Sequence, residues 1–189
     1  MVEALRRRHA EPRRRYHDWS HVEALARAFA SGILPFADQR AVALAILYHD
    51  AIYDPHSATN EADSAELLLT ERTGRENAST LALAEAMIRA TAGHRLPDDL
   101  AGTDRTDAAG FLDLDLGILA APSADYDAYV AKVRREYAHV PEPTWRAGRG
   151  SVLSGFAARE RLFLTEEGFA RWEAPARANI AREREALET

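Results

Sequence analysis

The sequence predicts an all-α protein, and three observations carry that expectation. Apolar residues recur at helical spacing through most of the chain from Tyr16 onward, and most prolines and glycines fall at the ends of the periodic segments. No run alternates β-branched and polar residues toward a hairpin turn. The first helix is expected over His17 to Ser31, ended by Gly32 and Pro35. Asp38 is placed to cap a second, running to about Tyr53 and stopped by Pro55. Asn60, with Asp63 three residues on, has the spacing of a capping box for a third helix through Thr73, closed by Gly74. Asn77 to about Thr91 is a fourth, and Leu96 to Thr103 the longest irregular connection. Thr106 to Ala120 and Ser123 to Tyr137 follow on either side of Pro122. Pro141 and Pro143 separate these from Thr144 to Leu164, and Gly168 precedes a charged C-terminal helix. There are no internal repeats and no linker, so residues 1–189 read as one domain, with a core of about 16–122 and a helical part of about 123–189 packed on it.

Composition narrows the function. A 47% hydrophobic and 29% charged chain of 189 residues can bury a substantial core. No apolar run has the length of a membrane span and no signal-like segment follows the N-terminus, so a cytoplasmic protein without a membrane partner is expected. With no cysteine, any metal must be held by nitrogen and oxygen ligands. A net charge of −6 argues against general nucleic-acid binding. The arginine runs Arg6-Arg7-Arg8 and Arg13-Arg14-Arg15, beside Glu3 and Glu11, read as solvated surface.

Two stretches place charge where apolar residues are expected. In Leu47-Tyr48-His49-Asp50-Ala51-Ile52-Tyr53 a histidine and an aspartate stand at the end of a buried helix, where a carboxylate requires a partner. A metal ion would satisfy both side chains, and so would a hydrogen bond between them. In Phe111-Leu112-Asp113-Leu114-Asp115-Leu116 the helical neighbours of Asp115 are Phe111, Leu112, Ile118 and Leu119. Its carboxylate therefore lies in an apolar stripe, while Asp113, rotated by roughly 200°, points elsewhere, so one of the two is expected to face the core. His17 and His21, four apart, are expected on one helix face, as two ligands or as one ligand with a second histidine behind it.

The order His21, then His49-Asp50, then Asp115 in an Asp-x-Asp-Leu helix resembles the His…His-Asp…Asp pattern of the HD-domain superfamily of metal-dependent phosphohydrolases. The chain is similar above all to an uncharacterised bacterial branch known as predicted metal-dependent HD phosphohydrolases. The shared segments are Arg15-Tyr16-His17, His49 to Tyr53, Asn60-Glu61 with Ser64-Ala65, residues 113 to 116, Tyr126 and Tyr129, Arg134 or Arg135 through Tyr137, and Glu173 to Asn179. The resemblance implies an HD-domain helical bundle with additional C-terminal helices. It also implies metal ligands His21, His49, Asp50 and Asp115.

Two imidazoles and two carboxylates suit one divalent transition ion, Mn, Co, Ni, Fe or Zn. The implied activity is hydrolysis of a small phosphorylated substrate, a nucleotide being favoured, through a metal-activated water. Around that centre, Glu61 is a candidate to position the nucleophile or shuttle a proton, or else serves the helix dipole. His17 and His94 are further acid or phosphate-contact candidates. Arg15, Arg134, Arg149 and Arg177 are either phosphate clamps or structural ion pairs. Tyr16, Tyr53 and Tyr126 either shape an aromatic pocket for a nucleobase or pack between helices. Two alternatives stay open: an HD-fold di-iron oxygenase, for which His56 and His94 are a poor supply of extra ligands, and a noncatalytic metal-containing ligand-binding module.

Overall fold

The computed structural model describes residues 2–71, 74 and 76–188, and among them there is no strand. The helices are α1 (Val2–His9), α2 (Trp19–Ala30), α3 (Gln39–Tyr48), α4 (Asn60–Glu71) and α5 (Ala78–Ala90). They continue with α6 (Gly102–Asp115), α7 (Ser123–Glu136), α8 (Glu142–Ala157) and α9 (Glu166–Glu188), and a 3-10 helix, Leu116–Ala120, prolongs α6. The protein is an all-α bundle with C-terminal helices packed on it. No helix among the described residues is long and apolar enough to cross a membrane.

Two apolar clusters organise the bundle. Helices α1 to α6 enclose the first, which includes Leu5, Val22, Ile46, Leu68, Met87 and Phe111. The second gathers Leu119, Tyr126, Leu153, Phe163 and Ile180 from the 3-10 helix, α7, α8, α9 and the turn before α9. Helix α6 runs from the first into the second, which places its C-terminal end, Asp115, between the two layers.

Polar side chains set the helix starts. Asp18 caps α2 by accepting from Ser20 N at 2.8 Å, and Asp38 caps α3 by accepting from Arg40 N and Ala41 N at 3.1 and 2.9 Å. Asn77 caps α5 through Thr80 N at 2.7 Å. The capping box expected at Asn60 is not formed. Asn60 turns back to exchange hydrogen bonds with the backbone of Asp54, both at 2.9 Å, and Thr59 takes the position before the helix, donating to Asp63 at 2.8 Å. The expected end of that helix at Thr73 lies outside the described residues.

Arg6, Arg7, Arg13 and Arg15 of the arginine-rich start are exposed as expected, but Arg14 is not. The start forms α1, which buries Leu5 and His9, and Arg14 is only 4% exposed. Arg14 Nη1 donates to Asp50 O at 2.5 Å and His17 O at 3.0 Å, and Nη2 to Ala51 O at 3.0 Å. A helix leaves its last carbonyls without partners, and a cation is the favoured group to take carbonyls there. This explains why α3 ends at Tyr48 instead of continuing to Tyr53: past the C-cap His49, the chain turns toward the Arg14 guanidinium.

The C-terminal boundaries also move. Helix α8 stops at Ala157 rather than Leu164, because the turn that follows is gathered by carboxylates. Glu173 accepts from Leu162 N and Phe163 N, and Asp113 accepts from Leu164 N (2.7 Å), Thr165 N (2.8 Å) and Thr165 Oγ1 (2.6 Å). Asp113 is therefore fully buried, and the expectation that one of the two α6 aspartates would face the core is corrected. The second apolar layer covers the side of α6 that a lone helix would have left in water. Gly168 is required beside it, since a Cβ there would overlap the Asp113 carboxylate.

Asp113→Ala would strand the Leu164 and Thr165 N–H groups in a buried turn, and a loss of about 3 kcal/mol is expected in urea unfolding. Gly168→Ala, which overpacks the same contact, is expected to lose about 1–3 kcal/mol.

Candidate metal centre

Three separate segments deliver four donor groups to one point. His21 projects from the first turn of α2, His49 and Asp50 from the end of α3 held by Arg14, and Asp115 from the end of α6. The donor atoms of His21, His49 and Asp50 all lie within 4.8 Å of one another. His21 Nε2 is 3.1 Å from His49 Nε2, 3.1 Å from Asp115 Oδ1 and 3.7 Å from Asp50 Oδ2. His49 Nε2 is 3.1 Å from Asp50 Oδ2 and 3.7 Å from Asp115 Oδ1. Ligands at about 2.1 Å from a common ion stand roughly 3.0 Å apart at a right angle and roughly 3.4 Å at the tetrahedral angle. His21, His49 and Asp50 thus have spacings that could hold a metal ion, with Asp115 beside the two imidazoles.

The tautomer is set as well. His49 Nδ1 donates to Ile46 O at 3.1 Å, which leaves Nε2 as the atom facing the cluster. Burial opposes a charge on His49, but the Asp50 carboxylate, its hydrogen bond and Asp115 overcome it and push its pKa up to about 9. Burial likewise opposes charge on Asp50, and the facing His49, His17 and His21 hold it far below the carboxylate range. Asp115 is also held low, by hydrogen bonds from His21 and His94 that outweigh its burial. Both carboxylates are thus held in the anionic form by the facing imidazoles.

His17 is not on the face of α2, contrary to the four-residue spacing. It precedes the capping Asp18, which frees its ring to stack on Tyr53 at 4.3 Å between centroids. Its Nδ1 meets Glu136 Oε2 at 2.7 Å, and the same carboxylate accepts from Tyr53 OH (2.9 Å) and from the backbone N–H of Arg15, Tyr16 and His17 (2.7, 2.8 and 3.0 Å). Burial works against charge on both partners. Asp50 and Glu136 nevertheless raise the pKa of His17, and the His17 and backbone donors lower that of Glu136 to about 2. His94 follows α5 with φ 46, a left-handed backbone rare outside glycine, and its Nε2 meets Asp115 Oδ2 at 2.9 Å.

These groups open on a cavity of about 860 Å³. Of the residues singled out in the sequence, His21, Asp50 and Asp115 line it together with His17, Glu61, His94, Tyr53 and Arg149, and His49 sits buried behind them. Arg149 is clamped to Glu183 at 2.7 and 2.9 Å. Three other arginines do not reach the cavity. Arg15 is exposed elsewhere, Arg134 holds Glu142 at 2.9 Å, and Arg177 holds Glu173 at 2.6 Å with three backbone carbonyls. Tyr126 is fully buried against Glu183, and Tyr129, Tyr137 and Trp145 supply the aromatic wall with Tyr16 and Tyr53. Sequence reasoning did not single out Glu136, although it stands inside the Arg-x-Glu-Tyr segment. Nor did it single out Arg14, Arg95 or Arg159 as site residues.

Fold and site together define an all-α protein with a buried cluster of two imidazoles and two carboxylates on a cavity wall. Comparison of the chain with protein-family models, with curated proteins and with solved structures returns no match.

A carboxylate whose folded pKa is depressed gives stability that is complete above its ordinary value and lost as pH falls through the folded one. For Glu136, at 4.5 and about 2, the window is pH 4.5 to 2, and the shift corresponds to roughly 3 kcal/mol. Glu136→Gln is expected to be less stable than the wild type at pH 6, with the difference shrinking across that window in urea unfolding.

Proposed function

We propose that this protein is a metal-dependent phosphohydrolase of the HD-domain type, hydrolysing a phosphate ester or anhydride of a small molecule, with nucleotides the favoured class. The observation that carries this reading is the grouping of His21, His49 and Asp50 at spacings that could hold one ion, with Asp115 beside the imidazoles, at a cavity large enough for a nucleotide. One divalent ion among Mn, Co, Ni, Fe and Zn fits that donor set, and when bound it supplies Lewis-acid polarisation of a phosphoryl oxygen and acidification of water.

The chain's own residues account for the rest. Glu61, on the cavity wall at the start of α4, accepts the proton of the attacking water. His17 is the proton donor to the leaving oxygen. Glu136 occupies its Nδ1 and raises its pKa, so Nε2–H is the free donor toward the cavity. His94 orients Asp115 through its 2.9 Å contact. Tyr53, Tyr137 and Trp145 offer flat apolar faces for a base.

The test is metal content and phosphate release across nucleotides and sugar phosphates, measured on the same metal-loaded sample. Asp50→Ala is expected to lose the ion and to lower phosphate release by more than the roughly 10- to 100-fold cost of disturbing a residue behind a ligand. A wild-type protein that binds no divalent ion, or releases no phosphate from any substrate when loaded, would overturn the reading. An oxygen-sensitive mixed-valence signal from iron-loaded protein would instead assign it to the di-iron oxygenases.

A further inference from the structure

The four arginines that the sequence offers for phosphate are committed elsewhere: Arg149, Arg134 and Arg177 to carboxylates, and Arg15 to a surface outside the cavity. Two others are not. Arg95 and Arg159 both line the cavity, and neither has a carboxylate within ion-pairing distance among the described residues.

Arg159 is oriented without being neutralised. Its Nη1 and Nη2 donate to the backbone carbonyls of His94 and Gly93 at 2.8 and 2.7 Å, and its Nε is buried with no acceptor. The His94 carbonyl that it grips belongs to the peptide joining His94 to Arg95, so its guanidinium lies beside the Arg95 backbone, and burial with the charge of Arg95 lowers its pKa. Neither charge on the cavity wall is offset by a carboxylate, and the planar fork of arginine matches phosphoryl oxygens.

His94 sets the spacing of this pair from the metal cluster. Arg159 grips the His94 carbonyl, while Asp115 lies 2.9 Å from the far end of the ring. His94 therefore stands between the two, with the guanidinium on its backbone carbonyl and the ligand carboxylate on its ring. We infer that Arg95 and Arg159 form a subsite for a second phosphoryl group, so that the molecule filling the cavity carries two, one facing the metal cluster and one facing the arginines. The role of the first phosphoryl rests on the hydrolase reading, whereas the affinity of the arginine pair for phosphate does not.

The test is calorimetric titration of the full chain with inorganic pyrophosphate. In metal-free protein, Arg95→Gln, a substitution at an exposed side chain, is expected to weaken binding at least tenfold, and Arg15→Gln to leave it within threefold of wild type. Manganese loading is expected to tighten wild-type binding about tenfold further. No pyrophosphate binding to the wild type, or equal effects of Arg95→Gln and Arg15→Gln, would overturn the subsite. Binding that depends on Arg95 but is unchanged by manganese would support the subsite and count against the metal reading.

Discussion

Two carboxylates facing two imidazoles with little water between them are the constraint on which this structure turns. Asp50 and Asp115 carry side chains only 17% and 10% exposed, yet both are held in the charged form. Buried charge of one sign costs several kcal/mol without compensation, and the protein provides it in the form of His21 and His49. A proton shared among the imidazoles meets that requirement, and a divalent cation meets it with more charge at the same spacing. Metal affinity and proton affinity are then competing uses of one electrostatic well.

The His49-Asp50 pair is fixed from both outside and inside α3. Arg14 holds the carbonyls at the end of α3 and so aims the His49-Asp50 pair, and Ile46 O fixes the ring of His49. The neighbouring Asp113 plays a different part from Asp115: it ties the turn before α9 to α6, so the second apolar layer is anchored two residues from the cluster. The same side-chain type serves as scaffold at one position and as donor at the other, according to whether backbone N–H groups or imidazoles face it.

The helices and the buried charge at Asp115 and at His49-Asp50 were legible in the sequence for a common reason, while His21 joined them only through the family resemblance. Helical periodicity is a local signal, and a charge inside an apolar stripe is conspicuous against it, as at Asp115 and at His49-Asp50. What was not legible depends on partners far along the chain. The end of α3 is set by an arginine 36 residues away, and His17 left the expected helix face for a carboxylate 119 residues away. The arginines failed for the same reason: nothing local distinguishes Arg134 or Arg177, which meet carboxylates, from Arg95 and Arg159, which do not. Asp113 was misjudged because the layer that buries it comes from residues 162–180.

Glu136 binds residues 15–17 through four donors and Tyr53 through a fifth, and that bears on the order of synthesis. Once residue 115 has emerged, all four donors of the cluster exist in the growing chain, but His17 and Tyr53 acquire their shared acceptor only after α7 is made. All four side chains of the inner cluster thus precede in the chain the helix that supplies the acceptor shared by His17 and Tyr53.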